Sequence, residues 1–233
     1  MQEIRNNTGA LFGFDGIQIN GAIFDLDGVL VDTAKYHYLA WKRLAAELGF
    51  DFTEKDNERL KGVSRIRSLE ILLEIGHVTM TAMKKEEAAA RKNTWYVEYL
   101  YTLDETALLP GAKDYLLRLR ENNIRIALGS ASKNSPLILE RLNIAASFDA
   151  VIDGNVVSKA KPNPEVFLKC AAAIGINPEH CVVFEDALAG IDAAKAGGML
   201  AIGVGKPEHL PGADRYIASL ADMLLFPEYP NQP

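Results

Sequence analysis

The sequence predicts an α/β protein, a doubly wound parallel sheet interrupted by an inserted all-helical unit. Three observations carry that expectation. Strand-like apolar runs alternate with helical patterns from Pro110-Gly111 onward. An earlier apolar run, Ala22-Ile23-Phe24, ends on two acids, Asp25 and Asp27, and on Gly28, which lets the backbone turn away. Between these regions the chain stays helical in character, with apolar positions three and four apart and no strand alternation. The expected domains are a core from residues 17–32 and 105–233, a helical insertion over 33–104 and an N-terminal extension over 1–16. The insertion leaves the core just after the acidic strand, so it is expected to hang over the crevice as a cap.

In chain order, residues 1 to about 20 precede the first convincing strand. Phe12-Gly13-Phe14-Asp15-Gly16 superficially resembles Phe24 to Gly28, but it has one acid and no strand behind it. A surface extension or edge hairpin is expected there. A helical pattern runs from Ala34 to Leu48 and closes on Gly49. Asp56–Lys61, Ile66–Ile75 and Met80–Leu100 continue it, punctuated by Gly62 and Gly76. Ile124–Leu128 reads as a strand ending at Gly129-Ser130, with a helix from about Ser135 to Leu142. A short strand near Ala150–Ile152 leads to Lys161-Pro162-Asn163-Pro164 and a helix over Glu165–Ile174, whose first turn suits Pro164. His180–Phe184 is a strand ending in Glu185-Asp186, followed by a helix over Ala187–Ala196. Met199–Val204 and Tyr216-Ile217 supply the last strands.

Composition narrows the function classes. Of 233 residues, 48% are apolar and 24% charged, enough for a full core. A formal net charge of −6 argues against a general nucleic-acid binder, so an anionic ligand would need local basic residues and backbone donors. No apolar run approaches the ~20 residues needed to span a bilayer, and residues 1–16 lack the pattern of a secretory signal. A cytoplasmic monomer with no membrane partner is expected. The two cysteines, Cys170 and Cys181, fall in segments that read as buried, and no Cys/His cluster has zinc-ligand spacing.

Four strand ends collect the residues that carry chemistry: Asp25/Asp27, Ser130, Lys161 and Glu185/Asp186. Singly, most have ordinary readings. An acid after a strand is often a helix N-cap, which fits Asp186; Ser130 fits a turn cap, and Lys161 a solvated charge. Asp25 is harder to dismiss, because apolar residues on both sides would bury it without compensation. In this order the set suits phosphoryl transfer. Asp25 can attack phosphorus, and Mg²⁺ between carboxylate and phosphate removes the repulsion between anions. Asp186, with Glu185 beside it, helps to hold the ion. Lys161 and Ser130 bind the transferring group, and Asp27 serves as general acid and base.

Asp25-Leu26-Asp27-Gly28-Val29, Ser130, Lys161-Pro162 and Glu185-Asp186 resemble the four motifs of the haloacid dehalogenase superfamily of phosphotransferases, with its Rossmann-like core. A finer resemblance, to the β-phosphoglucomutase family, is carried by Asp32 to His37 with Trp41, and by Leu60 to Arg65 with Ser68. Arg91-Lys92-Asn93 and Ser130-Ala131-Ser132-Lys133-Asn134 complete it. That resemblance implies interconversion of β-glucose 1-phosphate and glucose 6-phosphate through an aspartyl-phosphate and glucose 1,6-bisphosphate. Its partners would be hexose phosphates and hexose bisphosphates. Asp25 would be the nucleophile and Asp27 the acid/base. Mg²⁺ would be held by Asp25, the Asp27 carbonyl and Asp186, with Glu185 close by. Ser130 and Lys161 would bind the reacting phosphate, and Arg65, Ser132, Lys133 and Asn134 the far one. Thr33, His37 and Lys92 would couple cap closure to the placement of Asp27. Trp41, Lys61, Gly62, Val63, Ser68 and Ala131 complete the implied substrate-binding set.

Residue type alone reads some of these differently: Arg65 as a solvated charge, His37 as a packed or surface histidine, Lys92 as an exposed helix charge and Trp41 as packing. Ala187-Leu188 departs from the family, where a small polar residue is common after the acidic pair. Two other functions stay open, a sugar-phosphate phosphatase with the same motifs and a catalytically silent sugar-phosphate sensor. Retention of both Asp25 and Asp27 speaks against the sensor. A dehalogenase would leave the metal-binding acids without a purpose.

Overall fold

Strands flanked by helices on both faces read as unbroken apolar runs, and those runs become one sheet in the computed structural model, which describes residues 7–60 and 64–226. Lys61, Gly62 and Val63 lie outside the described residues. The strands are β1 (Gly21–Phe24), β2 (Arg125–Gly129), β3 (Ala150–Ile152), β4 (Cys181–Glu185), β5 (Leu200–Val204) and β6 (Arg215–Ile217). All pairings are parallel, in the order β3-β2-β1-β4-β5-β6. This is the doubly wound α/β fold that the alternating pattern predicts. The winding reverses between β1 and β4, and ligands in such sheets bind outside the C-terminal strand ends at that point. Register then places the chemistry. Phe24 lies opposite both Leu128 and Phe184, so the next residues of the three strands, Asp25, Gly129 and Glu185, emerge side by side.

The chain divides into two compact units, Met1–Asp32 with Glu105–Pro233, and Thr33–Asp104. The second unit is helical: α1 (Ala34–Glu47), α2 (Glu54–Glu58), α3 (Arg65–Ile75) and α4 (Ala82–Leu100). Caps set its boundaries. Thr53 and Asp56 form a reciprocal capping box, which starts α2 two residues earlier than its apolar pattern suggests. The Thr81 hydroxyl accepts from Lys84 N, which begins α4 at Ala82 rather than Met80. Trp41, Leu44, Leu69, Leu72, Tyr96 and Leu100 form buried positions of these helices.

The first unit adds α5 (Ala112–Glu121), α6 (Ser135–Arg141), α7 (Glu165–Ile174) and α8 (Leu188–Ala196). Residues of α7 and α8, Phe167, Cys170 and Ile191 among them, cluster with Ile23 and Val183 on one sheet face. Burial pushes the thiols of Cys170 and Cys181 up to about 12, which suits packing rather than reactivity. The opposite face carries Phe24 and Phe184, stacked with ring centroids 4.6 Å apart, and Tyr115 of α5 meets both edge-on. At the root of the insertion, Val31 forms a bridge to Leu108, and Leu109 N donates to Leu30 O at 2.9 Å. Among the described residues no helix is long and apolar enough to cross a membrane.

The N-terminal stretch departs from expectation. From residue 7 it is neither a surface extension nor an edge hairpin. Thr8–Phe12 is a 3₁₀ turn with Leu11 and Phe12 fully buried, and the Phe12 ring meets Tyr115 and Phe184 at 6.5 and 6.3 Å. The Thr8 hydroxyl accepts from Ile19 N at 2.8 Å, and Arg215 donates to Gly13 O. The physical reason is the exposed aromatic face of the sheet, which needs a cover that Leu11 and Phe12 supply. Phe12→Ala is therefore expected to lower unfolding free energy by about 3–5 kcal/mol in a denaturant titration, with the slope unchanged. A loss below about 1 kcal/mol would mark the segment as a loosely attached appendage.

Candidate active site

The site is built by the turn after β1. Asp25 N donates to Phe184 O, Leu30 N to Leu26 O and Gly28 N to Val31 O, so the chain folds back within a few residues. Gly28 sits at φ +80°, and a Cβ there would collide with the Asp186 carboxylate. Both conditions select glycine. Asp25 is buried at the mouth of the sheet. Lys161, in the loop before α7, meets it: Nζ donates to Asp25 Oδ1 at 2.5 Å, Glu185 Oε1 at 2.8 Å and Gly129 O at 3.2 Å. Three protons find three acceptors, and the side chain is only 8% exposed, so Lys161 is not a solvated charge. Burial works against its charge, but Asp25 and Glu185 outweigh that and hold the ammonium above its ordinary pKa.

Glu185 is fully buried, and its second oxygen accepts from Asp186 N at 2.9 Å. It needs the space left by Gly190 of α8, where a Cβ would strike its carboxylate. Burial pushes Glu185 up to about 7. Asp186 exposes part of its surface, yet desolvation of its carboxylate and then the charges of Glu185, Asp25 and Asp27 push it up to about 8. It does not cap the following helix, whose N-cap is Ala187 with no side-chain bond. Oxygens of Asp25, Glu185 and Asp186 all lie within 4.8 Å of one another. Three acids against one lysine leave excess negative charge, and hard oxygen donors so arranged fit a small divalent cation.

Beyond β2, the Ser130 hydroxyl accepts from Ser132 N at 3.1 Å and Ser132 Oγ from Asn134 N at 3.2 Å. Ser130 is thus a turn cap, as its residue type suggests, with a hydroxyl proton left to donate. Asn155 Nδ2 donates to Lys133 O, and Gly154 N to Ser132 O, which hold Ser130–Asn134 in one turn; Ala131 and Lys133 are exposed there.

The helical unit gathers Thr33, His37, Trp41 and Lys92. Lys92 is 2% exposed, its Nζ 2.8 Å from His37 Nδ1 and 4.5 and 4.7 Å from the Trp41 and Tyr96 rings. An exposed helix charge, the reading from residue type, is thereby corrected: the aromatic faces and His37 stabilise the buried ammonium. Burial, then the charges of Lys92 and Arg65, hold His37 well below its ordinary pKa. An ammonium offers only donors, so beside a charged Lys92 the Nδ1 of His37 is the accepting nitrogen. Tyr96, absent from the expected set, stacks on His37 at 4.0 Å and donates to the Thr33 hydroxyl. Its position four residues after Lys92 on α4 is the signal that could have found it. Ser68 is buried on α3, and Arg65 is half-buried with no ion pair among the described residues.

A family model described as haloacid dehalogenase-like hydrolase matches residues 19–198. The chain belongs to the haloacid dehalogenase-like hydrolases. Within this family it is 43% identical to a β-phosphoglucomutase of Bacillus subtilis, over 89% of this chain and 92% of that protein. A solved β-phosphoglucomutase of Clostridium difficile is 41% identical with TM-score 0.83, covering 88% of this chain and 93% of the other. A fructose-1-phosphate phosphatase of Escherichia coli is 33% identical over 79% of this chain and 95% of its own.

Raised carboxylate pKa values carry a sign. Without a cation, ionising Glu185 and Asp186 weakens the fold as pH rises from their ordinary values near 4.5 and 3.8, fully so above about 8. A cation requires the ionised forms, so its binding releases protons and tightens with pH. Calorimetric titration with MgCl₂ is expected to show higher affinity, and a larger rise in melting temperature, at about pH 8.5 than at about pH 6. Affinity independent of pH over that window would contradict the assignment of these acids.

Proposed function

We propose that the protein interconverts β-D-glucose 1-phosphate and glucose 6-phosphate through an aspartyl-phosphate and glucose 1,6-bisphosphate. The observation that carries this reading is the seating of Asp25, a buried carboxylate at the winding reversal, bound by a charged lysine and flanked by two further acids. Mg²⁺ held by Asp25, Asp186 and the Asp27 carbonyl, with Glu185 alongside, would supply the positive charge that lets a carboxylate approach a phosphate. Asp25 attacks phosphorus, and the bond from phosphorus to the sugar oxygen breaks. Asp27 gives that oxygen a proton, then takes one from the hydroxyl that accepts the phosphoryl group in the second half-reaction. Lys161 and Ser130 hold the oxygens of the moving group. By the family resemblance Thr33, His37 and Lys92 would couple cap closure to the placement of Asp27, and Ser68, Trp41, Ala131 and Lys61 to Val63 would complete the substrate-binding set.

A mutase differs from a phosphatase in holding a second phosphate. Arg65 supports that difference: a half-buried guanidinium without an ion pair among the described residues is suited to an anion. Ser132, Lys133 and Asn134 are assigned to the same phosphate. The similarity to a mutase at 43% identity points the same way. A sugar-phosphate phosphatase is the second reading, favoured by the phosphatase relative at 33%.

The deciding experiment supplies β-glucose 1-phosphate, Mg²⁺ and a trace of glucose 1,6-bisphosphate, and measures glucose 6-phosphate and free phosphate side by side. Glucose 6-phosphate in large excess is expected; free phosphate as the main product would favour the phosphatase. In the same assay Asp25→Ala should lose roughly 10⁴-fold or more. Asp27→Asn should retain Mg²⁺ binding and lose about 10²- to 10⁴-fold in turnover. Arg65→Ala should damage mutase flux more than hydrolysis of a small aryl phosphate, and equal losses would count against its role.

A further inference from the structure

The loop between β3 and α7 has no regular secondary structure, yet it must deliver Lys161 to within hydrogen-bond reach of two acids, one just past the end of β1 and one at the end of β4. A loop of that length does not hold such a position by itself. Much of what fastens it converges on one carboxylate at the start of α7. Glu165 accepts from Ser158 N at 3.0 and 3.2 Å, from Ser158 Oγ at 2.8 Å and from Lys159 N at 2.7 Å. Lys169, one turn along α7, pairs with Glu165 at 2.7 Å and donates to Val156 O at 2.6 Å. The other side is closed by Asn163, whose side-chain oxygen accepts from Glu165 N at 3.1 Å and whose N–H donates to Ala160 O at 3.0 Å. The result is a hydrogen-bonded ring from Ser158 to Glu165 with Lys161 at its apex.

We propose that Glu165 is a positioning residue: its carboxylate fixes the loop so that the Lys161 ammonium stands between Asp25 and Glu185 before substrate arrives. A simpler account makes Glu165 an acid in the first turn of a helix, paired with a lysine four residues on. That account uses only α7. Three of the donors on this carboxylate belong to Ser158 and Lys159, three and two residues before Lys161, so the bonds tie the loop rather than the helix. The bond from Lys169, and then those from Ser158 and Lys159, hold the carboxyl down at about 2. The inference rests on Lys161 as the group that holds the moving phosphoryl. It needs phosphoryl transfer of either kind, not the mutase in particular.

The test is a double-mutant cycle between Glu165 and Lys161, read both as glucose 6-phosphate formation and as hydrolysis of an aryl phosphate. Glu165→Ala is expected to lower kcat roughly ten- to a hundredfold with little change in KM, the scale of a reacting group displaced by about 1 Å. In a Lys161→Ala background the same substitution should change kcat less than about twofold, because the group it positions is gone. Glu165→Gln keeps one acceptor oxygen and should fall between; it carries the cycle if Glu165→Ala does not fold. Equal losses in both backgrounds would overturn the inference and leave Glu165 a helix-stabilising acid. Full activity of Lys161→Ala would overturn the reading of Lys161, and with it this inference. Hydrolysis without mutase flux in the unaltered protein would count against the mutase alone.

Discussion

The ammonium of Lys161, shared between Asp25 and Glu185, is the interaction on which the site depends. Two buried carboxylates on neighbouring strands would repel one another across the sheet, and the strand register gives them no way to separate. A single cation from a loop makes their closeness tolerable. It does so only in part, since Glu185 and Asp186 stay above the ordinary carboxylate range. The remaining imbalance is what a bound divalent cation would answer. Fold and chemistry are therefore one problem here, because the parallel register that buries the apolar runs also concentrates the acids.

Close packing supports that arrangement from below. Gly28 and Gly190 are not loop lubricants; each leaves room for a carboxylate where a methyl group would sit. On the far face of the same strands, the stacked rings of Phe24 and Phe184 directly precede Asp25 and Glu185 in the chain. Tyr115 and Phe12 close that wall. Side chains locked by neighbours on one face keep the backbone still on the other.

Much of this is legible in the sequence because the signals are local. An apolar run that ends on Asp25, or on Glu185, declares both a strand and its functional end within a few residues. The helix α7 begins and ends where its pattern predicts. Long-range packing hides the rest. Lys92 looks like any helix lysine until His37, 55 residues away, and two aromatic rings are brought to it. Helix α5 carries a readable spacing at Tyr115, Leu116 and Leu119, yet it lies between two stronger signals that mask it. The segment around Phe12 looks like surface because its partner, the aromatic face of β1 and β4, exists only once the sheet has formed.

The bridge between Val31 and Leu108, with the bond from Leu109 N to Leu30 O, has a consequence for how such proteins diversify. The two strands of chain that leave and re-enter the core are stitched together at their base. From the core's standpoint everything from Thr33 to Asp104 is one long excursion between adjoining points. Lengthening or shortening such an excursion changes its closure entropy only slowly. A lineage could therefore rewrite or exchange the whole helical excursion while the acids and lysine at the sheet's mouth passed through unaltered.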